Sequence, residues 1–246
     1  MTIMLEAAKR QLKSTYDHAI LSYVMSILGF LAAMVMWLVL RGVLRKEAQY
    51  VPLGTIMALG LCGLCILFSQ IFQTKLLFAL EISMGSTRRI FFLSYLLVQA
   101  LYNAGNYILL VFLILLEKKT RPFLVAHNVA AGKKAELICS WTIRYGFPAL
   151  LVFTIVSILF GTLWMYFGKV VGVILWILWM AFCLGGPNIA DAITDAPNSI
   201  LGKVGLGIAG MISFFSGATG MIVGIVFVIA VLVIIYCMMQ RQAVQF

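Results

Sequence analysis

The chain has 246 residues, 63% of them hydrophobic and 11% charged, with 18 basic against 8 acidic side chains and a formal charge of +10. So little charge in so apolar a chain excludes an ordinary soluble domain. The basic residues are scattered among short connections. That places them beside anionic lipid headgroups and argues against nucleic acid as a partner.

Six stretches carry no Asp, Glu, Lys or Arg: residues 19–40, 51–72, 90–116, 147–168, 170–187 and 204–240. About 20 apolar residues, rising ~1.5 Å each, cross a hydrocarbon layer of ~30 Å, and ionisable groups there are costly. Helices satisfy their own backbone in lipid, and no ten-residue pieces of period-two alternation speak for a barrel. The expected fold class is therefore an all-α polytopic membrane protein forming one transmembrane domain over residues 1–246.

Taken in order, residues 1–18 read as a helix lying on the membrane. Leu5, Ala8, Leu12 and Tyr16 share one face, and Glu6, Lys9, Arg10, Lys13 and Asp17 occupy the others. The first span, 19–40, is too long for a signal-peptide core and is read as retained. A short connection leads to the second span, 51–72, with Pro52 near its start, where a missing N–H costs nothing. Cys62 and Cys65 form a CxxC inside that span with no histidine nearby, which favours packing over metal or redox chemistry.

Residues 73–89 form a charged interruption carrying Lys75, Glu81, Arg88 and Arg89. The stretch 75–82 favours helix. Gly85 then supplies a turn or cap, and Ser86 or Thr87 can cap the helix that enters the third span, 90–116. That span carries Tyr95, Gln99, Tyr102, Asn103 and Asn106 at helical spacing. Amides in lipid need partners, so this face points at another helix or at a water-filled route.

Residues 117–145 read as the longest polar loop, with a mildly apolar stretch at 123–131. The fourth span, 147–168, and the fifth, 170–187, join almost directly through Tyr166, Phe167, Gly168 and Lys169, which implies an antiparallel pair. The block 204–240 is too long for one crossing, at about 55 Å. It divides at the Ser213–Gly220 break into a membrane-dipping helix, 201–213, and a sixth span, 221–240.

The sequence also says what chemistry is missing. No histidine or carboxylate lies within the spans, no P-loop is present, and no GxSxG, HExxH or paired-carboxylate constellation appears. The expectation is a non-enzymatic membrane subunit with no cofactor of its own, powered by a partner. Alternatives are a self-sufficient channel or facilitator lined by the amide stripe, and a non-transporting membrane anchor.

The run Ala79-Leu-Glu81-Ile-Ser-Met84-Gly85-Ser86-Thr-Arg88-Arg89-Ile-Phe91-Phe92 resembles a motif that bacterial ABC-2 type permeases show after their second span. Leu163-Trp-Met-Tyr166-Phe167-Gly168-Lys169 is similar to the link between the fourth and fifth spans of small peptide-exporter-like members. The resemblance implies six spans, an interfacial helix, a cytoplasmic coupling helix between the second and third spans, and a membrane-dipping helix before the sixth. It also implies ATP and magnesium on separate ABC ATPase subunits, a second permease as partner, and export of an amphipathic or hydrophobic substrate such as a peptide. Glu81, Met84, Gly85, Ser86, Arg88 and Arg89 would couple to the ATPase, and Gln99, Asn103 and Asn106 would face the substrate path. The site would be a bacterial cell membrane with both termini cytoplasmic. Counting basic residues gives eight on that inner side and ten outside, so the orientation rests on the resemblance and not on positive-inside bias.

Overall fold

The computed structural model describes residues 2–43, 52–124, 133–168, 170, 172–174, 177 and 218–241. They form five long helices: α1 (Thr2–Val43), α2 (Leu53–Ser83), α3 (Arg88–Leu124), α4 (Lys133–Phe167) and α5 (Ala218–Arg241). All five contain a segment long and apolar enough to cross a membrane. The protein is thus an all-α, multi-span membrane protein. Most of the expected fifth span, 170–187, and the whole membrane-dipping segment, 201–213, lie outside the described residues.

The chain divides into two compact units, residues 1–157 with 244–246, and residues 158–243. In the first, α1 and α3 run parallel and α2 runs antiparallel to both. Arg10 meets Glu81 and Gly29 meets Leu61, which sets α1 against α2 head to tail. Arg10 meets Ser86 just before α3 and Ser22 meets Asn106 farther along it, which sets α1 and α3 in the same sense. Phe30, Ala58, Cys62, Ile66, Tyr102, Leu110, Leu113 and Leu150 form the apolar core. The CxxC thiol of Cys62 is packed in that core.

Three sequence expectations change shape. Residues 1–18 are not a separate surface helix, because α1 runs unbroken from Thr2 into the first span. The segment 75–82 is likewise the last two turns of α2. The expected polar loop 117–145 is largely helix, since α3 continues to Leu124 and α4 begins at Lys133.

The face of α1 that packs inside the protein lies away from most of its large apolar side chains. Leu5, Leu12 and Tyr16 are exposed, while Ala7, Ala8, Gln11, Thr15, Ser22 and Ser26 are buried. The apolar row continues outward through Ile20, Val24, Leu28, Leu31 and Val35. In lipid the large apolar side chains face outward, and small or polar ones let helices approach closely.

In the second unit, α4 ends where Gly168 takes a positive φ of 78° and donates its N–H to the Trp164 carbonyl. Helix resumes by residue 170, and Gly172 lies directly against the Trp164 indole. The near-absence of a link between these two segments is as the Tyr166–Lys169 pattern implies.

Candidate functional site

The α2–α3 connection occupies only residues 84–87. Gly85 has φ +83°. Its N–H donates to the Ile82 carbonyl at 3.1 Å, and the Ser86 N–H donates to the Glu81 carbonyl at 3.0 Å. This double bond closes α2 in a Schellman motif, which requires a left-handed residue at the Gly85 position. Thr87 then opens α3. Its hydroxyl accepts from the Ile90 N–H at 3.3 Å and its carbonyl from the Phe91 N–H at 2.9 Å. Of the two capping candidates, Thr87 caps the helix and Ser86 does something else.

The Ser86 hydroxyl donates to Glu81 Oε2 at 2.7 Å. The Arg10 guanidinium approaches the same carboxylate, with Nε donating to Oε1 at 3.3 Å and Nη2 to Oε2 at 3.0 Å. Nη2 also donates to the Ser86 hydroxyl at 3.3 Å. Glu81 is only 2% exposed, so its charge is met from inside the chain by a partner 71 residues away. Met84, Thr87 and Arg89 are exposed around the turn, and Arg88 is half-buried. The six expected coupling residues therefore fall into two groups. Glu81, Gly85 and Ser86 build and hold the turn, while Met84 and Arg89 present outward with Arg88 half-buried beside them.

Behind the turn, Phe78 meets Phe91 edge-on at 5.3 Å, and Phe91 stacks on Tyr95 at 5.4 Å. Polar links follow along α2 and α3. The Tyr95 hydroxyl donates to Gln70 Oε1 at 2.6 Å, Thr74 is 3.1 Å from that hydroxyl, and Gln70 Nε2 donates to Gln99 Oε1 at 2.5 Å. The hairpin is consequently joined to its transmembrane part by aromatic packing and a chain of hydrogen bonds.

The predicted stripe on α3 is buried. Asn103 exchanges bonds with Thr154 on α4, donating at 2.9 Å and accepting at 3.1 Å. Asn106 accepts from Ser22 on α1 at 3.1 Å, and its amide donates to the Tyr102 carbonyl at 3.3 Å. Of the two roles open to this stripe in the sequence, these contacts are helix–helix links. Gln99, Asn103 and Asn106 bond to three different helices, α2, α4 and α1.

Sequence reasoning missed two residues. Arg10 was one charge among several on α1, and nothing local marks it as the partner of Glu81. Glu117 was read as the start of a loop. Its Oε2 instead accepts from the Thr55 N–H at 2.8 Å and the Thr55 hydroxyl at 2.6 Å. It thereby caps α2, whose own N-cap residue, Pro52, makes no side-chain capping bond. The available signal was that Glu117 is the first charge after the long neutral run of α3.

No protein-family model, curated protein or solved structure matches this chain.

Proposed function

We propose that this chain is the membrane-spanning permease subunit of an ABC-2 type exporter, driven by ATP hydrolysed on a separate subunit. One observation carries the reading: the Met84–Thr87 turn is a braced projection. Gly85 and Thr87 close the two helices, Glu81 and Ser86 tie the turn to Arg10, and Met84 and Arg89 remain exposed. A push on such a turn moves α2 and α3 together, because the edge-on Phe78–Phe91 contact and the Gln70–Gln99 bond join them. Glu81 acts on a partner through the turn that it holds. Met84 and Arg89 make the contact, and Arg88 supports it.

The same reading places the turn and both termini in the cytoplasm of a bacterial cell. It pairs the chain with a second permease, a copy or a related chain, and assigns it an amphipathic or hydrophobic cargo such as a peptide. A self-sufficient channel lined by Asn103 and Asn106 is less well supported, since both amides already bond to neighbouring helices.

Co-purification tests this directly. An ATPase with a P-loop should come down with the intact chain, and Met84→Asp or Arg89→Glu should cut its recovery about tenfold or more. Membrane insertion should be unchanged. Undiminished recovery in both variants refutes the docking role of the turn. ATP-independent uphill transport by the chain alone refutes the whole reading.

A further inference from the structure

At the turn end of the first unit, the interface between α1 and the α2–α3 pair is polar and incompletely satisfied. Gln11 is 0% exposed, Thr15 2% and Gln73 3%. Among the described residues, neither amide atom of Gln11 or Gln73, nor the Thr15 hydroxyl, has a hydrogen-bond partner. Gln11 and Thr15, four residues apart, share one face of α1. Gln73 lies eight residues, or about 12 Å of helix, back along α2 from Glu81. In the antiparallel register set by Arg10 and Glu81, all three fall within about two turns of that ion pair.

The attachment of this part of α1 is sparse. Among the described residues before Ser22, its side-chain hydrogen bonds to other helices all come from Arg10. Its buried apolar residues here are Ala7 and Ala8. Farther along, Phe30 anchors α1 in the apolar core, and Ser22 bonds Asn106. α2 and α3, by contrast, are joined to each other at this level by rings and bonds of their own.

We propose that residues 2–21 of α1 form a hinged arm, latched by Arg10 on Glu81 and Ser86, that closes over a binding cleft for uncharged amide-bearing ligands. Closing buries Gln11, Thr15 and Gln73 without partners, which disfavours the shut form, and the ion pair offsets that cost. Opening exposes two carboxamides and a hydroxyl, all donors and acceptors without net charge. They match the donor–acceptor pattern of a peptide backbone or a primary amide and give a charged group no counterion. The arm would bend just before Ser22, where the Asn106 bond and, farther on, the Phe30 packing hold the rest of α1. The inference goes beyond the energy source proposed above and holds whatever drives the chain.

The experiment uses the full-length purified chain in liposomes, with the five native cysteines replaced and Thr15→Cys or Ala58→Cys introduced singly. A hydrophilic maleimide should label Thr15→Cys slowly, about tenfold or more faster with Glu81→Gln added, and slowly again in the Arg10→Glu/Glu81→Arg exchange. Ala58→Cys, in the apolar core, should resist labelling throughout. Equal Thr15→Cys rates in all three backgrounds overturn the latch. Fast labelling of Ala58→Cys with Glu81→Gln means general unfolding and overturns the hinged arm. In the opened variant an N-acetylated, C-amidated tetraserine should slow Thr15→Cys labelling about threefold or more, while glutamate or arginine at equal concentration should not. No protection, or equal protection by the charged probes, overturns the ligand assignment.

Discussion

At residue scale the backbone sign at Gly85 carries much of the turn, and it separates two glycines that look alike in space. A Cβ at Gly85 or at Gly60 would meet nothing within 4 Å, but only Gly85 has a positive φ. Gly85→Ala should therefore destabilise by about 1–2 kcal/mol, whereas Gly60→Ala, in mid-helix, should stabilise by up to ~1 kcal/mol. Thermal unfolding in detergent, followed by fluorescence or size-exclusion recovery, checks both signs. Glu117 offers a second test. Glu117→Leu leaves the buried Thr55 N–H and hydroxyl without that acceptor and should cost about 1–3 kcal/mol, while Glu117→Gln, which keeps an acceptor oxygen, should cost less. If Leu and Gln behave alike in the same assay, the capping role is wrong. The Gly85 turn was legible from its local sequence, but the cap on α2 was not, because Glu117 supplies it from 62 residues away.

At the scale of elements, α1 reaches α3 only because Gly105 has no side chain. A Cβ there would collide with the Tyr23 hydroxyl, and one at Gly29 would collide with Leu61. Gly105→Ala should cost about 1–3 kcal/mol through overpacking, and Tyr23→Phe, which removes the colliding oxygen, should recover part of it. A double-mutant cycle by thermal unfolding measures that recovery, and strictly additive losses would show that the two helices are not in register here. The α3 polar stripe was legible from its spacing alone, since amides at helical intervals in an apolar span must face something. Which helix each amide meets was not. Which face of α1 packs against other helices was not legible either, because in a bilayer a periodic apolar row marks the lipid side. Ala7, Ala8, Ser22 and Ser26 form the seam, and their small size carries no hydrophobic signal.

At the scale of the first unit, α1 and α3 run the same way, so the Arg10 end and the Glu117 end lie on opposite faces of the membrane. Lys9→Cys and Arg89→Cys should accordingly react with an impermeant thiol reagent from one side of sealed vesicles, and Lys118→Cys from the other. Labelling of all three from one side would contradict the helix order. α1, about 63 Å long, exceeds the ~30 Å hydrocarbon layer twofold, so its charged first turns emerge beside the Met84–Thr87 turn. The sequence by itself determined the solvent and the class of structure, because the cost of charge in lipid is written directly into uncharged runs of spanning length. It also located the Gly85 turn and the amide stripe, whose signals are local. Tertiary structure alone decided that Arg10 holds Glu81, that Glu117 caps α2, and that Gln11, Thr15 and Gln73 end up enclosed with no partner among the described residues. Those outcomes depend on which distant segments come level when the helices pack, and no local pattern of residues encodes that register.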